Sequence, residues 1–216
     1  RARWATWSYA GEAEAVYLSL HTDAGNGRGR GTTAYVRRMC RDGAPCEPRV
    51  ASSQLLGDLM RQAVVHSARS VDPTWEDRGT RAAGLAEVND ELNPVMPAAL
   101  IEIGYHDAPK DVAVMADLRF REAAADAMVD ALIRYRANAS GLLPVLPPGV
   151  PQSLDWHGDR VSWSAPPPDE HVPPSKTIEG WEVRALTEAG WSPPRWVVRP
   201  EVVVESAVTA VSIRGL

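Results

Sequence analysis

Two apolar runs in this chain end on residues that can bind metal or move a proton. The first is Val16-Tyr17-Leu18-Ser19-Leu20, which leads to His21 and then to Thr22-Asp23-Ala24-Gly25. The second is Pro97-Ala98-Ala99-Leu100-Ile101, which leads to Glu102 and then to Ile103-Gly104-Tyr105-His106-Asp107. Open α/β sheets gather ligands and catalytic groups at the carboxyl ends of their strands, so the two runs predict one shared site holding His21 and Glu102. A neutral imidazole at His21 is a metal ligand. A carboxylate after Ala-Leu-Ile in a buried strand is costly unless it is paired or functional, which marks Glu102 as a proton-transfer group. Taken alone, a histidine at a strand end reads first as a hydrogen-bonded structural residue.

The other reactive side chains carry less. His106, just past the second run, reads as a solvent-facing loop residue, and His66 as a surface position on a helix. Arg28, Arg30, Arg37 and Arg38 read as a solvated basic face, with attraction of peptide carboxylates as the functional counterpart. Gly25-Asn26-Gly27-Arg28-Gly29-Arg30-Gly31 lacks the Gly-Lys-Ser/Thr ending of a phosphate loop and joins strand to strand, which argues against a nucleotide cradle. Cys40 and Cys46 flank a short loop containing Gly43 and Pro45. Such a loop brings two cysteines within bridging distance, and both a disulfide and two separate thiols remain open. Two thiols do not make a structural zinc site.

These residues need a sheet and helices to hold them. Residues 16–20 and 32–36 read as strands. Leu55, Leu56, Leu59, Met60, Ala63 and Val64 recur at helical spacing behind Ser52 and Ser53, the expected caps. Phe120, Ala124, Ala127, Met128, Ala131, Leu132 and Tyr135 form the stripe of a long helix expected to cover the sheet. Proline and glycine between residues 138 and 150 stop that helix and predict a connector. Beyond it, residues 153–156, 160–164, 180–185 and 196–199 alternate like half-buried strands. Trp156, Trp163, Trp181, Trp191 and Trp196 lie here, and core packing is expected to account for most of them, with glycan stacking as the alternative. The predicted fold class is α/β: an open mixed sheet flanked by helices over residues 1–137, a linker at 138–150, and a small all-β sandwich-like domain at 151–216.

Composition narrows the function. A formal net charge of −5 and 44% hydrophobic residues in 216 describe a chain that can bury a real core. The acidic balance argues against nucleic acid as a partner, since that affinity rests on neutralising phosphates. No apolar run approaches the length needed to cross a bilayer.

Ser19-Leu20-His21-Thr22-Asp23-Ala24 and the run from Pro97 to Tyr105 resemble, in order, two motifs of the zinc-dependent N-acetylmuramoyl-L-alanine amidases, which cut peptidoglycan between glycan and stem peptide. Between them, residues 77–86 are similar to the family's approach to its penultimate strand. The resemblance spans roughly residues 8–136. It implies Zn2+ as cofactor, His21 as one zinc ligand, Glu102 as general base, peptidoglycan or muropeptides as partner, and export to the periplasm or cell wall. The family's other two ligands, a loop histidine and a helical glutamate, belong upstream of residue 19. Glu12 and Glu14 sit too close to the strand to replace them. The expectation is therefore an N-terminally incomplete catalytic domain that binds zinc weakly or not at all by itself. Residues 161–166, 180–183 and 208–216 loosely resemble strands of a fibronectin type III-like domain, truncated before its last two. A zinc carboxypeptidase-like peptidase and a non-catalytic wall-binding or scaffold protein are the competing functions.

Overall fold

The first apolar run becomes β1 (Tyr17–Asp23) in the computed structural model, which describes all residues except 10–14, 148–150, 166–177, 206 and 216. Glu12 and Glu14, part of the linker, Pro166 and Leu216 thus lie outside the described residues. The chain divides into two compact units, Arg1–Leu142 and Leu143–Leu216.

In the first unit, α1 (Ala2–Tyr9) precedes β1, followed by β2 (Thr32–Val36), α2 (Pro48–Val71), β3 (Asp77–Ala82), a 3-10 turn at Ala86–Val88, β4 (Ala98–Tyr105), α3 (Pro109–Ala116) and α4 (Leu118–Ala139). The sheet order is β1-β4-β2-β3. Its pairings are mixed, β4 running parallel to β1 and antiparallel to β2, and β2 parallel to β3. Residues 77–82 thus form the edge strand of this sheet and not merely an approach to one.

Alternation along β4 sorts its side chains between two faces. Ala99 and Ile101 join Ala34, Val36, Leu56, Met60 and Val64 in the main core beneath α2. Ala98 and Leu100 join Val88 on the other face, with Tyr17 and Tyr35 alongside. Trp75, only 1% exposed, closes the main core against Phe120. Its indole Nε1 donates to Thr32 Oγ1 at 2.9 Å, so its one polar atom is matched. A buried ring of this size contributes about 3 kcal/mol.

Two expectations about helices need correction, and one helix, α1, was not expected at all. Ser52 and Ser53 do not cap α2, which begins at Pro48. Proline suits a first turn because its missing N–H is unneeded there, and Ser53 instead accepts from the Ala98 N–H at 3.1 Å. The long helix α4 lies chiefly against α2, its Phe120, Ala124, Ala131 and Tyr135 entering the core from that side. The helix α1 shows no wide apolar stripe. It docks by Ala2, Ala5 and Thr6, whose Oγ1 donates to the Leu92 carbonyl at 3.2 Å, and leaves Trp4 and Trp7 exposed.

Among its described residues the second unit has two antiparallel sheets. One is β10-β6-β5, built from β5 (Gln152–His157), β6 (Arg160–Ser164) and β10 (Glu201–Val203). The other joins β7 (Trp181–Thr187) to β11 (Ala210–Gly215), β8 (Gly190–Trp191) and β9 (Arg195–Val197). Val161, Trp163 and Val202 meet Trp181 and Val183 in a common core, where the two indoles cross edge to face at 5.7 Å. Core packing explains only these two of the five tryptophans. Trp156, Trp191 and Trp196 are exposed: Trp191 and Trp196 stand on the face of β7 opposite the core, and Trp156 lies on the exposed strand β5 although it is the register partner of the buried Val161.

Candidate active site

His21 and Glu102 are register partners on the parallel strands β1 and β4, and so project from the same face of the sheet. They lie within the strands rather than past their ends. Thr33 of β2, 1% exposed, is the register partner of Glu102 on its other side. Just beyond, the pairing slips: His21 faces Glu102 but Asp23 faces Tyr105, which leaves one extra residue on β4. Such a bulge bends the strand and re-aims the side chains that follow.

The imidazole is half-buried. Its Nε2 lies 2.9 Å from Ser19 Oγ, two residues back on the same strand. The carboxylate of Glu87, carried by the 3-10 turn, comes to 3.9 Å from the same nitrogen. Glu102 is also half-buried, and its Oε2 is buried with no hydrogen-bond partner among the described residues. Burial raises the Glu102 carboxyl above its ordinary range. The neighbouring charge of Asp23 pushes it the same way, His21 opposes, Glu87 raises it further, and His106 opposes. The arrangement favours the protonated carboxyl more than an ordinary glutamate does, the direction that suits a group giving up a proton it has taken.

Sequence reading did not find Glu87, because it comes from an irregular segment with no periodicity. It also missed the frame around the glycine-rich loop. Asp111 of α3 is fully buried and accepts from the N–H groups of Gly31 at 2.8 Å and Tyr105 at 3.1 Å, and from Arg30 Nε at 3.1 Å. Arg30 also reaches Asp72 at 2.6 Å, so it belongs to an ion network and not to a solvated basic face. Asp107 accepts from the N–H groups of Gly25 at 2.9 Å and Gly27 at 3.0 Å, which hold its carboxyl below the usual range. Gly29 is required by space: a Cβ there would fall 2.2 Å from the Tyr105 ring. The signal in the sequence was two aspartates four apart, at 107 and 111, directly after the Glu102 strand.

The remaining candidates separate from the pair. His106 is exposed and its Nδ1 lies 3.1 Å from Thr22 Oγ1. His66 is exposed on α2. Arg38 pairs with Glu47 and Asp90, and Arg28 is exposed. Cys40 and Cys46 form a disulfide.

A catalytic zinc ion takes three protein ligands and keeps a fourth position for water or substrate. Among the described residues, no group of three or more His, Cys, Asp or Glu side chains is placed to hold a metal ion. The described donor set, with one imidazole facing Glu102 across the strand pair, is therefore short of a zinc site.

Residues 5–134 match the family model of the N-acetylmuramoyl-L-alanine amidases, more than half of the chain, and the protein belongs to that family. Among solved structures, it is similar to the catalytic domain of the amidase CwlV from Bacillus (Paenibacillus) polymyxa var. colistinus, at 21% identity and TM-score 0.47, over 61% of this chain and 63% of that one. It is similar also to the amidase Ami1 from Mycobacterium smegmatis, at 21% identity and TM-score 0.47, over 63% and 60%. An amidase from Clostridium difficile 630 matches at 21% identity and TM-score 0.45, over 61% and 62%. The chain thus spans about six-tenths of the length of these structures. No curated protein matches it.

Proposed function

We propose that the protein hydrolyses the amide bond between N-acetylmuramic acid and L-alanine in peptidoglycan, with Glu102 as its proton-transferring carboxylate. The observation that carries this reading is the half-buried Glu102 beside His21, with one carboxylate oxygen buried and unmatched. Family membership over residues 5–134 supports the bond type.

In this reading Glu102 accepts a proton from a water molecule as the water oxygen bonds to the amide carbon. It then gives that proton to the departing nitrogen as the C–N bond breaks. The products are a carboxylic acid on the muramyl side and the free amine of L-alanine. Zinc is the cofactor the family resemblance implies, and His21 is proposed as one of its ligands. The described residues supply too few others, so the chemistry assigned to this chain is that of Glu102. The disulfide between Cys40 and Cys46 supports an exported protein, because such bonds persist in oxidising compartments. Among the described residues no helix is long and apolar enough to cross a membrane. The β-rich unit is proposed as a fibronectin type III-like accessory module, supported by its two antiparallel sheets over one core.

The chain alone is expected to be inactive for want of upstream zinc ligands, so mass spectrometry of purified sacculi incubated with the full-length protein tests the reading. Stem peptides with a free N-terminal L-alanine are expected, their release falling about 100-fold or more in Glu102→Gln. Equal release by both proteins would exclude Glu102 as the base. Release of single C-terminal amino acids would favour the carboxypeptidase alternative, and retention on sacculi without any release would favour a wall-binding protein.

A further inference from the structure

The second unit carries a feature independent of Glu102. Trp191 of β8 and Trp196 of β9 are 53% and 50% exposed. Trp191 is the register partner of Leu186 on β7, and Trp196 is that of Glu182. Antiparallel register partners share a face, so both indoles stand on the side of β7 that bears Glu182, Arg184 and Leu186, opposite the core face of Trp181 and Val183. Four residues of β7 separate the two positions, about 13 Å along the strand. Between them, Arg184 Nε donates to Glu182 Oε1 at 3.1 Å, and the exposed Ser212 of β11 lies in register with Arg184.

Trp196 is seated by design of the backbone. Its six-membered ring rests on Gly180, where a Cβ would fall 2.3 Å from Trp196 Cζ2. Glycine therefore lets the ring settle on the chain and be held from one side while half of its surface stays open.

We propose that this face binds a neutral β-linked glycan strand, Trp191 and Trp196 each stacking on a sugar ring while Glu182, Arg184 and Ser212 hydrogen-bond hydroxyls between them. An indole offers a flat, rigid apolar surface that complements the C–H face of a pyranose. Glu182 and Arg184 pair with each other, Arg214 of β11 is the register partner of Glu182, and the chain as a whole carries a formal net charge of −5, so the face offers donors and acceptors on an acidic protein. That is the complement of an uncharged, hydroxyl-rich ligand, and not of a phosphate backbone, whose binding rests on an excess of basic groups. Two platforms separated by several residues engage an oligomer at two points and a monosaccharide at one, so affinity rises with glycan length.

Calorimetric titration of the full 216-residue chain with N-acetylglucosamine and its β-1,4-linked hexamer tests this. The hexamer is expected to bind at least tenfold more tightly than the monomer. Trp191→Ala and Trp196→Ala each lower hexamer affinity about tenfold. Trp191 has no glycine seat to disturb, so Trp191→Ala with an unchanged thermal midpoint is informative even where Trp196→Ala unfolds. Substituting Trp4 and Trp7, the exposed indoles of α1, leaves affinity unchanged. The proposal is overturned by absence of hexamer binding in the parent chain, by unchanged affinity in both the β8 and β9 variants, or by equal loss in the α1 variants. It is overturned too by a dimer in sedimentation velocity that Trp191→Ala abolishes, which would assign the face to a second copy of the chain.

Discussion

Glu102 sits where a carboxylate is least comfortable, half-buried among other acidic groups with one oxygen unmatched. Its raised pKa has a consequence for stability with a definite sign. A carboxyl that holds its proton more tightly when folded favours the folded state at low pH and loses that advantage as pH rises through the raised value. Glu102→Gln removes the burial of charge, so the variant is expected to match the parent near pH 4, about the ordinary value for a glutamate, and to exceed it in thermal midpoint at pH 8. A variant less stable than the parent at pH 8 would contradict this account. Both Glu102 and His21 were legible in the sequence because each interrupts an apolar run, and interruption is visible without coordinates. Glu87 and Thr33 were not. They reach the pair only through sheet order and a 3-10 turn, which one-dimensional periodicity does not encode.

Among the elements, α3 does more than connect. Its Asp111 fastens the glycine-rich loop, β4 and Arg30 at a single carboxylate with no solvent exposure. Asp111→Ala leaves Arg30 short of a buried partner and two backbone N–H groups unmatched, and is expected to cost about 3 kcal/mol in urea unfolding. A loss below 0.5 kcal/mol, roughly the scale of an unremarkable surface substitution, would show the loop is held otherwise. The strands β1 and β4 and the helices α2 and α4 followed from apolar spacing. The helix α1 did not, because its docking surface is two alanines and a threonine while its large side chains face outward. The start of α2 was misplaced because serines are good caps in isolation, whereas Pro48 had already fixed the first turn. In the second unit the tryptophans misled for a related reason. Aromatic weight signals a core, but strand register and position in the sheet decide which indoles enter it: Trp191 and Trp196 face away, and Trp156 is exposed on β5 although in register with buried Val161.

At the scale of the molecule, two units with separate cores need not unfold together, and a single midpoint does not describe such a chain. The disulfide closes a loop with a sequence separation of 6 in the first unit. Reduction releases loop entropy to the unfolded chain and is expected to lower the stability of that unit by about 2 kcal/mol. Far-UV circular dichroism, with and without reductant, reads the helical first unit, and amide hydrogen exchange in β6 and β7 reads the second. A reductant effect confined to the second signal would refute the assignment. The division of the two units near residue 142 falls in the stretch 138–150, where proline and glycine cluster.

The strand bearing the imidazole forms one margin of the sheet, with β4 as its hydrogen-bonded neighbour among the described residues. Its outward row of amide and carbonyl groups is a template on which a further extended segment can be laid. Whatever segment docks there must set alternate side chains level with Ser19 and His21, so occupancy of that rim would bring new chemical groups to the Glu102 pair without moving either member.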